Sequence, residues 1–234
     1  MKKAILFDLD DTLYDYSKAH TKAIDGVYTF LKKEIGIPKK KFVELFNKSK
    51  DTIKRDLSGT ASSHNRVLYF QKFIEMTHQT VDPNLILKLY EKYWSSFLDA
   101  MILGKGVLET LKELKKRKIK IVLVSDLTTH IQLRKIKKLK ISKYIDFLVT
   151  SEEAGSEKPH SIMYLLALNK VQCLPEEAIM VGDDLVRDVK GPKDIGLDSI
   201  LISKNRIKKN SRTINSIPEV LKILNDLKLN EDKK

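Results

Sequence analysis

The sequence predicts an α/β protein, a parallel sheet with helices on both faces, interrupted early by an all-helical insertion. Short continuous apolar runs at residues 3–7, 119–124, 147–149, 179–181 and 199–202 have the pattern of strands buried on both faces. Helical spacings separate the later runs: Val107-Leu108-Leu111-Leu114, Ile131-Leu133-Ile136-Leu139 and Ile162-Leu165-Leu166 each bring apolar side chains to one face. Residues 14–97 break the rhythm, because they carry only helical periodicities such as Ile24-Val27-Leu31 and Phe42-Leu45-Phe46. Strand alternating with helix implies a parallel sheet covered on both sides.

In chain order, the first run, Ala4-Ile5-Leu6-Phe7, stops at Asp8, and the helical insertion follows at once. Turn signals at Gly36-Ile37-Pro38, residues 57–63 and Val81-Asp82-Pro83 divide it into roughly four helices. The expected division is residues 1–13 and 98–234 for the α/β core and 14–97 for the insertion.

At 234 residues and 42% hydrophobic, the chain can bury a substantial core, which excludes a disordered chain. One cysteine, Cys173, excludes an intramolecular disulfide framework and offers no cysteine-based zinc site. The first apolar run is shorter than a signal-peptide core and no segment could span a bilayer, so the expected location is the cytoplasm, with no membrane partner. A net charge of +13 favours anionic ligands through long-range attraction. The clusters Lys112, Lys115, Lys116, Arg117, Lys118, Lys120 and Arg134, Lys135, Lys137, Lys138, Lys140 read as solvated helix faces, and no nucleic-acid partner is expected.

The chemistry is written at the strand ends. Asp8 ends the first run in Asp8-Leu9-Asp10-Asp11-Thr12; Ser125 and Asp126 follow the second; Gly182-Asp183-Asp184 follow the fourth, with Asp188 close behind. The C-terminal strand ends of an open parallel sheet rim one crevice, so these residues meet. One such acid is an ordinary cap or turn residue; a set of them would repel unless compensated. A hard divalent cation with oxygen ligands resolves the conflict, and Mg²⁺ is commonly held by one or two carboxylates, waters and substrate phosphate. Lys158, in Glu157-Lys158-Pro159, precedes a helical pattern whose first turn Pro159 suits. With the Ser125 hydroxyl it describes a phosphate clamp beside a metal.

These four stretches, in this order, resemble the motifs of the haloacid dehalogenase-like superfamily. The resemblance spans the chain and implies a Rossmann-like core, with the insertion as a small helical cap. It implies Asp8 as the nucleophile that becomes an aspartyl-phosphate and Asp10 as the general acid and base. Mg²⁺ would be held by the Asp8 side chain, the Asp10 backbone carbonyl and Asp183; Ser125 and Lys158 would hold phosphoryl oxygens; Asp184 or Asp188 would support the metal or the lysine. An acid two residues after the nucleophile separates phosphoryl transfer from the dehalogenating branch. His64, Arg66 and Tyr69, near a turn in the insertion, are candidates for contact with a leaving group. Asp126 is expected to bond loop backbone. The implied activity is a Mg²⁺-dependent phosphatase of a small phosphorylated metabolite, the rivals being a phosphomutase with the same residues and a non-enzymatic polyanion-binding protein.

Overall fold

The computed structural model describes residues 2–203 and 212–231, the last four of these by backbone alone. Six parallel strands form one sheet in the order β3-β2-β1-β4-β5-β6: β1 (Ala4–Phe7), β2 (Lys120–Ser125), β3 (Phe147–Thr150), β4 (Ala178–Gly182), β5 (Asp198–Ile202) and β6 (Thr213–Ile214). Five of them occupy the expected apolar runs. The sixth, two residues at the edge beside β5, is too short to show a period in the sequence.

Two compact units divide the chain. The α/β unit comprises residues up to Asp15 and from Ile102 onward; the other is Tyr16–Met101. In the second, α1 (Tyr16–Ile35), α2 (Lys39–Asp56), α3 (Arg66–His78) and α4 (Pro83–Ala100) follow the turn signals read from the sequence. Local chemistry fixes the starts of the last two: Asn65 Oδ1 accepts from the Val67 amide at 2.9 Å, and Asp82 Oδ1 from the Leu85 amide at 3.0 Å, with Pro83 opening α4. Their shared interior is aromatic, with Phe42, Phe70, Phe73, Tyr93, Trp94 and Phe97 all buried.

In the α/β unit, α5 (Val107–Lys116), α6 (Thr129–Lys138), α7 (Ser151–Ala154), α8 (Ile162–Val171), α9 (Gly191–Lys193) and α10 (Val220–Glu231) accompany the strands. Ala4, Leu6, Val122 and Val124 pack with Met163, Tyr164, Ala167 and Leu168 of α8. The alternate strand residues, Ile5, Phe7, Ile121 and Leu123, are equally inaccessible, so both faces of the sheet are covered.

β1 is the pivot. It pairs Phe7 with Leu123 of β2 on one side and with Val181 of β4 on the other, so the strand order reverses around it. That register carries Asp8, Ser125 and Gly182 to the same edge. Beyond Asp8 the chain turns tightly: Asp11 takes a left-handed conformation, and Leu13 accepts from the Gly104 amide at 2.8 Å where the chain comes back from the helical unit.

One local expectation fails. α8 begins at Ile162, not at Pro159, which lies in a separate turn and follows a cis peptide bond. Lys158 therefore acts through its side chain, not as the prelude to a helix N-terminus.

Leu6, packed between Val122 and Met180 at the centre of the sheet, should be costly to truncate. Leu6→Ala is expected to lower stability by about 2–5 kcal/mol in urea unfolding. A loss under about 1 kcal/mol would mean that the central strand is not the rigid base of the fold.

Candidate active site

Asp8 emerges from the central strand with its amide bonded to the Val181 carbonyl at 2.9 Å and its side chain buried. Lys158, also buried, donates from Nζ to Asp8 Oδ1 and to Asp188 Oδ1, each at 2.7 Å. Asp183 completes the group: carboxylate oxygens of Asp8, Asp183 and Asp188 all lie within 4.8 Å of one another. The strand ends thus deliver three acids and one ammonium to a single point.

The loop after β4 separates two acids whose roles the sequence leaves open. Residues 185–190 form one wide π-type turn. Asp184 caps it, its Oδ1 accepting from the Val186 and Arg187 amides at 2.8 and 2.9 Å. Asp188 faces inward, one oxygen on Lys158 and the other accepting from the Asp184 amide at 3.0 Å. Glycine is required at 182 by this packing, since a Cβ there would stand 2.2 Å from the Asp188 carboxylate. Asp184 is the residue that shapes the loop, and Asp188 the one that orients the lysine.

Asp126 bonds loop backbone, its Oδ1 accepting from the Lys158 amide at 2.9 Å, so it ties the loops after β2 and β3 together. Ser125 is buried, and its Oγ accepts from Gln132 Nε2 at 2.9 Å. The hydroxyl hydrogen must then point elsewhere, which equips Ser125 as a donor to an anion. Thr12 reaches Asp183 Oδ1 at 3.4 Å.

Asp10 stands apart from this cluster. Lys135 Nζ donates to both its oxygens at 2.8 and 2.7 Å, and the Tyr14 hydroxyl donates to Oδ1 at 2.5 Å. Lys135 is fully buried, contrary to its reading as part of a solvated basic face. α6 is rotated from its expected orientation: Ile131, Gln132, Lys135, Ile136 and Leu139 point inward, while Leu133 is 54% exposed. Gln132 and Lys135 earn their interior positions through dedicated partners, Ser125 and Asp10. The signal was the spacing of both polar residues, which share a helix face with Ile131, Ile136 and Leu139. In the other basic cluster, Lys115 and Lys120 both reach Asp146, and Arg117 pairs with Glu113. Three of its six cations are thus paired, with two carboxylates between them.

The candidates for contact with a leaving group lie inside the helical unit. Arg66 is buried; it donates to the His64 carbonyl, to the Tyr16 hydroxyl and, at 3.5 Å, to Tyr93, with its guanidinium over the rings of Tyr69, Tyr93 and Trp94. Tyr69 is buried as well and donates to the Ser63 carbonyl at 2.6 Å. His64 is half-buried. Arg66 and Tyr69 are built into the unit's interior instead of standing on an open surface.

Electrostatics show what the cluster lacks. Burial is the largest influence on Asp8 and pushes it well above the usual carboxylate range; Lys158 opposes this, while Asp188 and Asp10 reinforce it. Asp183 is exposed at its surface, yet partial desolvation of its carboxylate pushes it up to about 6, with Asp188 and Asp11 adding to the effect. Burial disfavours the Lys158 ammonium, but Asp188, Asp8 and Asp126 outweigh it and hold the lysine well above its usual value. Ionised together, the three acids outnumber the one ammonium, and their hard oxygens are a donor set suited to a divalent cation.

A doubly wound sheet can serve a dinucleotide or a hydrolase, and the first βα turn decides between them. A pyrophosphate site needs glycines there, whereas this turn carries Asp8, Asp10 and Asp11. The class is therefore a Rossmann-like α/β protein with an acidic site in place of a dinucleotide site. Residues 5–202 match the haloacid dehalogenase-like hydrolases, and the chain belongs to that family. It is 39% identical over 203 residues to a ribulose-1,5-bisphosphate 5-phosphatase from Halopiger xanaduensis, covering 86% of this chain and 84% of that one. A glyceraldehyde 3-phosphate phosphatase from Methanocaldococcus jannaschii is 28% identical over 235 residues, covering 97% and 99%. The crystal structure of a phosphatase of this family from Thermococcus onnurineus superposes with a TM-score of 0.77 at 26% identity, covering 96% of this chain and 98% of that one. The protein is a phosphoric monoester hydrolase. Among the described residues no helix is long and apolar enough to cross a membrane.

The crowding of acids has a consequence that needs no substrate. Because the Asp183 value is raised in the folded state, its contribution to stability is present below about pH 4 and lost as the pH rises through about 6. Metal-free Asp183→Asn should melt higher than the wild type at pH 7, and the gap should close near pH 4. Added Mg²⁺ should raise the melting temperature of the wild type more than that of the variant. Equal Mg²⁺ shifts in the two proteins would remove Asp183 from the metal site.

Proposed function

We propose that the protein is a Mg²⁺-dependent phosphatase of a small phosphorylated metabolite that works through an aspartyl-phosphate on Asp8. The observation that carries this reading is the Lys158 ammonium, bonded at once to Asp8 and Asp188 beside Asp183. A cation held by the Asp8 and Asp183 carboxylates and the Asp10 carbonyl supplies, when bound, the charge neutralisation that lets an anionic nucleophile approach an anionic phosphoryl group. The Asp8 oxygen attacks phosphorus as the bond to the leaving oxygen breaks, and Asp10 gives that oxygen a proton. Water then attacks the acyl phosphate, Asp10 takes its proton, and the Asp8 carboxylate and inorganic phosphate are released.

Lys158 and Ser125 hold the phosphoryl oxygens, with Asp188 fixing the lysine and Gln132 the serine. Dividing the displacement into two steps at one carboxylate lets the same groups serve twice. The phosphomutase alternative would use them identically, but the relatives named as phosphatases support water as the final acceptor. Those names also support a short sugar phosphate as substrate. The cytoplasm remains the proposed location, and residues 14–97 the proposed cap.

Screening sugar phosphates for phosphate release should give activity that EDTA abolishes and Mg²⁺ restores, with Ca²⁺ a poor substitute because its coordination is larger and looser. Full turnover in metal-free protein would sink the metal assignment. Asp8→Asn should abolish turnover with the fold intact, while Asp10→Asn should slow it by roughly 10²–10⁴-fold. A folded Asp8→Asn protein with near-wild-type activity would overturn the nucleophile assignment.

A further inference from the structure

Two lysines are buried among the described residues, and each holds one acid of the first loop: Lys158 holds Asp8, and Lys135 holds Asp10. Burying an ammonium is expensive, and an apolar side chain of similar length would suit the inner face of α6 better. Asp10 does not need a buried partner to be tolerated, because its side chain is 28% exposed. The pairing therefore serves the geometry of Asp10 more than the stability of the helix.

That geometry is narrowly defined. Lys135 Nζ is bonded to both oxygens, Tyr14 adds a third bond to Oδ1, and Tyr14 is itself buried, with its ring 5.9 Å from Lys135 Nζ. An ammonium and a hydroxyl both donate, so Asp10 is held as an acceptor on the side facing α6, and its two side-chain torsions are fixed together. A carboxylate held as an acceptor is the form that takes a proton from water.

We propose that Lys135, assisted by Tyr14, is a positioning residue for the second half of the reaction, fixing the Asp10 carboxylate to receive the proton of the hydrolytic water. In that step the water oxygen bonds to phosphorus, the bond from phosphorus to the Asp8 oxygen breaks, and the water proton passes to Asp10. The inference rests on the reading of Asp10 given above. Formation of the aspartyl-phosphate from an ester with an acidic leaving group needs little proton donation and depends far less on Lys135.

The test is stopped-flow hydrolysis of p-nitrophenyl phosphate by the full chain with Mg²⁺, comparing wild type, Lys135→Met, Tyr14→Phe and Asp10→Asn. Lys135→Met should release a burst of nitrophenolate stoichiometric with enzyme, followed by a steady state roughly 10–10²-fold slower than wild type. KM should fall with kcat, kcat/KM should stay within about threefold, and the phosphorylated protein should be visible by intact mass. Tyr14→Phe should show a smaller version of the same pattern, and it keeps the test valid if Lys135→Met fails to fold. A parallel loss of kcat and kcat/KM without a burst, or no change at all, would overturn the proposal. If Asp10→Asn slows dephosphorylation and the Lys135 and Tyr14 variants do not, only the positioning role fails. If Asp10→Asn leaves both half-reactions intact, the reading of Asp10 fails with it.

Discussion

Like charges brought together in a partly dry site are the constraint on which the rest of the α/β unit depends. Asp8, Asp183 and Asp188 converge within 4.8 Å, and a single ammonium, Lys158, holds two of them. Such an arrangement persists only if the backbone leaves it no escape. The parallel sheet supplies that rigidity. Its central strand is bonded on both sides, so Asp8 cannot retreat without breaking the register with β2 and β4. The wide turn at 185–190, closed by Asp184, forces Asp188 over the end of β4, and Gly182 leaves room for it. A site of this kind is poor for stability and well suited to a cation and a phosphoryl group.

The same logic of paired acid and base organises the next layer. The two polar side chains on the inner face of α6 are each matched to a residue of the site, Gln132 to Ser125 and Lys135 to Asp10. Asp126 holds the backbone of Lys158, so the loops that carry the serine and the lysine are tied together. The site is supported by residues that contact it from behind, which is what preorganised electrostatics requires.

The helical unit follows a different economy. Its interior is a set of stacked and edge-on aromatic rings around one buried guanidinium, Arg66, which the hydroxyls of Tyr16 and Tyr93 and three ring faces accommodate. Burial and the nearby Arg66 charge push His20 down to about 4, so it stays neutral beside Tyr93. The positive centre at Arg66 is lined by aromatic rings and hydroxyls and by the His64 carbonyl, so substitutions at Arg66 or Tyr69 act first on the packing of the unit.

The sequence by itself determined five of the six strands, because a strand buried on both faces must be apolar throughout and must end where the polar residues begin. It also put Asp8, Ser125 and Asp183 at one edge of the sheet, since the C-terminal ends of parallel strands share that edge whatever the intervening chain does. The four helices between residues 16 and 100 were legible for a similar reason: glycine, proline and capping residues mark helix ends locally. Tertiary structure alone decided what depends on partners distant in sequence. Asp184 and Asp188 are identical in chemistry, and only the turn between them assigns one to backbone and the other to Lys158. The spacing of Lys135 sets it on the apolar face of α6, but only the fold shows Asp10 and Tyr14 standing opposite it. Hydrophobic periodicity records which face is apolar; it cannot record that a charge is buried because another charge, 125 residues away, is waiting for it.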